Sequence, residues 1–260
     1  MHQSRREIQR SSIFDRVTFV NSGEIRSAAQ ALHSFVESYS LRVAIWHDIS
    51  SPEQLMDEEG NCLNADVFGW TGVGEKWWEN RSLALESPLP EACRYESEPF
   101  WCNSRGFFSP WPNEHFDSID TSPYFEKEQS FQSAILVPKH LAMGKVSASC
   151  LVPLDPKKTD LEAVFNDHVD VLAQAIRKFV RSYHAAIHKD GFLFHEKSLS
   201  RHEVCCLVWA ARGKTDQEIA DILYRSHATV RYHITRAGEK LNTVGRAQTL
   251  ARAAQLGYLP

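Results

Sequence analysis

Residues 199–242 read LSRHEVCCLVWAARGKTDQEIADILYRSHATVRYHITRAGEKLN, and their punctuation defines a small helical domain. Leu199-Ser200 precede a helix that runs through Ala211, and Gly213 stands where a helix end accepts a left-handed residue. Thr215 caps a second helix, DQEIADIL, with Ile219, Ala220 and Leu223 on one side. Ser226 caps a third, whose Val230, Ile234, Ala237 and Leu241 recur at helical spacing. A fourth follows Val244, carries Ala247, Leu250, Ala251 and Ala254, and ends at Gly257. The short Tyr224–Arg225 connection suits a helix-turn-helix, a geometry that lays the third helix in the major groove of DNA.

The chemistry of that third helix fits the same purpose. Its outward positions hold His227, Arg231, Tyr232, Thr235, Arg236 and Lys240. Arg231 can donate two hydrogen bonds to a guanine edge, a contact worth about 1–3 kcal/mol of discrimination. Lys214, Arg225, His233, Arg236 and Lys240 suit phosphate contacts, which orient a protein on the duplex without specifying sequence.

Charge is divided accordingly. Net charge over 260 residues is −4, yet residues 199–260 hold nine basic and five acidic side chains, a balance of +4, which leaves −8 on the remainder. A basic binding module on an acidic body is the reading. The composition, 43% hydrophobic and 11% aromatic, is that of a globular protein. No apolar run is long enough for a membrane span and the N-terminus does not read as a signal peptide. Six cysteines in no framework spacing fit a reduced, cytoplasmic protein.

Upstream, Ser22 is read as the N-cap of a helix over 22–40, and Arg42–Ile49 as a strand. Residues 50–66 read as a loop and Trp77–Leu85 as a helix, while the aromatic-rich PFWCNSRGFFSPWP (99–112) stays unassigned. Ser133–Pro138 and Lys145–Val152 read as strands, followed after Thr159 by a long amphipathic helix. The order predicts an α+β fold: an N-terminal α/β/α sandwich sensor domain with an antiparallel sheet, PAS/GAF-like, plus a C-terminal four-helix domain. The expected boundaries are 1–183 for the sensor and dimerisation domain, 184–198 for a linker and 199–260 for the DNA-binding domain.

The 199–260 segment resembles the LuxR-type helix-turn-helix, through Glu203, Gly213, Lys214, Thr215, Glu218, Ile219, Ala220, Ser226, Thr229, Val230, Lys240, Leu241, Ala247, Leu256 and Gly257. The resemblance implies a sequence-specific transcriptional regulator, with Thr215 and Thr229 joining the DNA-binding set. It also implies a homodimer on a palindromic double-stranded site, in contact with RNA polymerase where the protein acts as an activator. Residues 133–152 resemble the paired central strands of the autoinducer-binding domain of quorum-sensing LuxR-type regulators. Anchored on Pro88, that pattern puts Trp70, Trp78, Ser87 and Trp101 at ligand-binding positions. Ser87 stands where an Asp belongs and Gly74 where a Trp belongs, so the ionised acceptor and the indole donor of the usual lactone grip are missing. Glu86 is one residue from the acceptor position.

A small amphiphilic ligand other than an ordinary acyl-homoserine lactone is therefore one reading. The other is a ligand-independent dimerisation or protein-interaction module whose tryptophans are core. His184 and His188, four apart, are a helical pair without a third metal ligand, and no cofactor, metal or membrane partner is expected. No catalytic motif such as GxSxG, a P-loop, HExxH or GxGxxG occurs, so an enzyme is not expected.

Overall fold

The computed structural model describes residues 13–50, 53–71, 87–128, 130–141, 144–187 and 198–259. The chain divides into two compact units, Met1–His140 with Lys145–Lys189, and Asp190–Pro260 with Leu141–Gly144. The first is α+β and the second helical.

In the first unit a 3-10 turn, Ser22–Glu24, leads into helix α1 (Ile25–Glu37). Asn21, not Ser22, caps this turn: its side chain meets the Glu24 N–H while the Glu24 carboxylate accepts from the Asn21 N–H at 3.1 Å. Strand β1 (Leu41–Trp46), the short helices α2 (Leu63–Asp66) and α3 (Pro88–Ala92), and the hairpin β2 (Phe100–Asn103) and β3 (Gly106–Phe108) follow. Next come α4 (Glu114–Asp117), α5 (Ser122–Lys127), β4 (Ser133–His140), β5 (Val146–Pro153) and the long α6 (Glu162–Ile187). Helix α6 continues four residues past the expected boundary at 183, and the aromatic-rich stretch 99–112 contains the β2–β3 hairpin. The expected loop 50–66 contains a turn built on Asp57 and helix α2.

The five strands form one antiparallel sheet in the order β1-β5-β4-β2-β3. Pairing fixes which side chains share a face, because neighbours along a strand point to opposite sides. Val43, Leu151, Ile135 and Trp101 lie in one row across the sheet, and Ala44, Cys150, Leu136 and Phe100 in the next, facing the other way. The Trp101 face is covered by the long helix: His47, which keeps the parity of Val43, meets Tyr183 and His184 of α6, and Ser133 donates to Lys158 just before it. Leu172, Ile176, Phe179 and Val180 of α6 are fully buried, each worth about 1.5–3 kcal/mol in transfer from water. The opposite face is covered by the central segments, with Phe116 of α4 packed on Phe100 and Phe107. Helices on both sides of one sheet make the expected α/β/α sandwich.

The free edge of β1 would invite pairing with another chain. Asn64 closes it by imitating a strand: its amide accepts from the Ile45 N–H and donates to the Ile45 carbonyl, both at 2.9 Å. The Trp70 indole N–H donates to the Val43 carbonyl at 2.7 Å and extends the cover.

At the end of β1 the His184 ring donates to the His47 carbonyl at 2.7 Å, so this member of the expected His184–His188 pair is a buttress; His188 lies outside the described residues. His47 is buried with no partner for Nδ1 among the described residues. Burial, then the nearby His184, depresses its pKa to about 4 against the pull of Asp48. A depressed imidazole is neutral when folded and protonated when unfolded, so its stabilisation is complete above about pH 6.5 and lost on descent toward pH 4. The protection factors of the β1 and β5 amides, each referred to the intrinsic exchange rate at that pH, should fall over that window, and His47→Gln should flatten the dependence; an unchanged profile in the variant would remove His47 as its source.

Candidate nucleic-acid interface

The second unit is built from α7 (Arg201–Ala211), α8 (Asp216–Leu223), α9 (His227–Lys240) and α10 (Arg246–Gln255). Each of the first three starts on a side-chain cap. Ser200 and Glu203 form a reciprocal box on α7, Thr215 and Glu218 form another on α8, and Ser226 accepts from the Thr229 N–H at 3.1 Å on α9. Gly213 takes φ +84° after α7, a conformation that costs glycine little. Tyr224, with φ +53°, ends α8 and turns the chain into α9 within three residues. Val230 and Ala237 of α9 are fully buried, with Ile234 and Leu241 beside them, against Leu207, Ile219 and Ala253. Gly238 lets α10 come close: a Cβ there would lie 3.1 Å from Thr249 Oγ1 and 3.3 Å from the Thr243 carbonyl.

The core positions fix the outer face of α9. At about 100° per residue, Arg231, Tyr232 and Thr235 fall on the flank and far side from Val230, and all three are exposed. His227 is exposed at the helix start and Thr229 is half-buried beside its cap. Arg225 and Arg231 are exposed and make no ion pair or side-chain hydrogen bond among the described residues. Lys214 pairs with Glu218 at 3.4 Å on the surface, an interaction worth at most about 1 kcal/mol, so its charge stays available. Lys214, Thr215 and His227 line one open hollow of about 520 Å³ with Arg246. Arg246, which sequence reasoning left out, donates to the Lys214 carbonyl at 2.6 Å and pairs with Asp216. Thirty-two residues separate Arg246 from Lys214, and no local pattern announces the contact.

Three expected phosphate partners have other duties. Lys240 Nζ lies 2.7 Å from Glu203 Oε2, with side chains only 17% and 6% exposed, and it also donates to the Ser198 carbonyl. It is a strut between α9 and the start of α7. Burial works to raise the Glu203 pKa, but the bonds from Lys240 and Ser200 outweigh it and hold the carboxylate ionised. Arg236 is paired with Glu239 one turn on. His233 is half-buried and stacked on His202 with centroids 5.5 Å apart; burial, then His202, lowers its pKa.

Of the expected ligand residues that are described in the first unit, Trp70 and Ser87 lie toward the Cys150 face of the sheet and Trp101 on the other. Trp70 is buried, its indole donor spent on Val43 and its ring covered by the Arg42 guanidinium at 3.8 Å. Ser87 caps α3, accepting from the Leu89 N–H at 3.4 Å, and it also meets Tyr124. Trp101 is on the α6 side of the sheet, stacked on Phe108 at 4.2 Å, whereas Phe100 and Cys102 face the Arg42 side. Trp78, Gly74 and Glu86 lie outside the described residues. Cys150, on the Arg42 face, is half-buried although strands flank it on both sides, and burial raises its thiol pKa to about 12. Such a thiol stays protonated and unreactive at neutral pH. Among the described residues no three metal-ligating side chains cluster, and no helix is long and apolar enough to cross a membrane.

Residues 197–253 match the family described as bacterial regulatory proteins, luxR family. The chain is 32% identical over 155 residues to the transcriptional activator protein VanR of Vibrio anguillarum, covering 57% of this chain and 62% of VanR. It is 42% identical over 61 residues to the transcriptional activator protein LuxR of Aliivibrio fischeri, covering 24% of each. The chain thus covers less than two thirds of either relative's length. Among solved structures, Escherichia coli SdiA shares the fold, with a TM-score of 0.50 and 14% identity over 96% of this chain and 97% of SdiA.

The strut can be tested by itself. Lys240→Ala leaves Glu203 buried without its cation and should lower the stability of the second unit by about 2 kcal/mol, between the exposed and fully buried cases. Calorimetry of the full chain reads this as a fall of roughly 10 °C in that unit's transition. An unshifted transition would return Lys240 to the phosphate contacts.

Proposed function

Because residues 197–253 match the luxR family of bacterial regulatory proteins, we propose that this chain is a sequence-specific DNA-binding transcription regulator, with α9 as its reading helix. The observation that carries the reading is the pair of guanidinium groups, Arg231 on the open side of α9 and Arg225 in the turn before it, neither ion-paired nor hydrogen-bonded among the described residues, in a domain whose Arg236 and Lys240 are paired. Arg231 is the base reader and Arg225 a phosphate contact, with Lys214, Thr215, His227, Thr229 and Thr235 around them. The protein works as a homodimer on a two-fold-symmetric site with half-sites about 10 bp apart. It acts in the cytoplasm without catalysis. VanR and LuxR are both transcriptional activator proteins, which favours activation here and hence contact with RNA polymerase.

Regulation by a small amphiphile in the front unit is part of this reading, supported by the sandwich shared with SdiA. A second reading, a front unit that binds no ligand, draws on the internal engagement of Trp70 and Ser87. Thermal shifts with fractionated bacterial lipid extracts separate the two. A ligand at a hundredfold excess over its Kd adds about 2.7 kcal/mol, and no shift with any fraction favours the second reading.

The DNA reading predicts two different defects. Arg231→Ala should remove about 1–3 kcal/mol of preference at one base pair per half-site and barely change binding to random duplex. Arg225→Ala should weaken binding to all duplexes alike and reduce the slope of log K against log salt by about 1 for each phosphate no longer neutralised. Wild-type behaviour of both variants on target and random DNA would defeat the assignment of α9.

A further inference from the structure

Tyr232 is 59% exposed on α9, and nothing in the fold accounts for an aromatic ring there. It lies about 200° around the helix from Val230, so it points almost directly away from the core. Its neighbours one turn before and after are Ala228, Thr235 and Arg236; Arg236 is turned to its ion pair with Glu239, and the ring stays 59% exposed. The ring is nonetheless held on one side. It meets His233 edge-on at 5.5 Å and 65°, and His233 is stacked in turn on His202 of α7 at 5.5 Å and 15°. Three rings in series anchor an exposed apolar surface beside the unengaged Arg231.

We propose that Tyr232 is a specificity-determining residue that packs against the 5-methyl group of a thymine next to the base pair read by Arg231. The inference rests on α9 being the reading helix. Base edges in the major groove offer donors, acceptors and one apolar group, the thymine methyl. An exposed ring complements that group, and its edge contact with His233 holds one side of it in place before it docks. Arg231 and Tyr232 would then read adjacent pairs through different chemistry, one by hydrogen bonding and the other by burial.

The test begins by selecting sites from a random duplex pool with the full-length protein, then replacing each dT of the site by dU, one at a time. Wild type should lose affinity about fourfold at one position per half-site, the effect of one buried methyl group. Tyr232→Ala should bind the dT and dU duplexes equally, while Tyr232→Phe should keep the preference. Both variants should melt with wild type, since the side chain is on the surface. A dT-over-dU ratio that survives in Tyr232→Ala, in a protein whose selectivity still depends on Arg231, overturns this inference and spares the reading of α9. A pool in which no sequence is enriched overturns both.

Discussion

The Glu203 carboxylate accepts from the Ser200 N–H at the start of α7 and from Lys240 at the end of α9, so one acid fixes two helices at once. Removing either bond leaves a charge with little water to replace it, and that makes the arrangement stiff. Around it the domain closes: the buried stripe of α9 meets Leu207 and Ile219, and its far side is left for solvent or a ligand. The exposure of Arg231 and Tyr232 is thus set by a contact on the other side of the helix.

The first unit depends on a different constraint, the parity of its strands. One row of side chains serves the layer under α6 and the next serves the layer under α3 to α5. The two sides differ in polarity: on one, Arg42 lies over the Trp70 ring beside Ala44, Leu136 and Phe100, and on the α6 side the buried Asn103, Ser133, Ser147 and Ser149 interrupt the apolar rows.

What can be read from the sequence follows from the range of each interaction. The caps at Ser200, Thr215 and Ser226 act within three residues, and the apolar spacing of α9 is a property of one helix, so both are visible in a single window. Helix α6, β4 and β5 are legible for the same reason. The role of Lys240 is not, because its partner is 37 residues away and a lysine on a helix looks the same whether or not it is paired. Trp101 is hidden by parity: in a stretch of four buried residues there is no alternation to say which points where. Trp70 is on the expected segment, but its role as edge cover depends on a carbonyl 27 residues upstream. Ser22 yields the cap because Asn21 and Glu24 form a better reciprocal pair one position earlier.

The bare backbone of Gly238 has a consequence for control. At that point α10 approaches α9 so closely that a methyl group would press on both Thr249 and the Thr243 carbonyl, and the two threonine hydroxyls are bonded at 2.8 Å. Helices meshed at that distance cannot slide or rotate past one another without opening a void. Helices α9 and α10 consequently form one meshed pair. The spacing of the α9 side chains is thereby fixed by the contact with α10, whatever happens elsewhere in the chain.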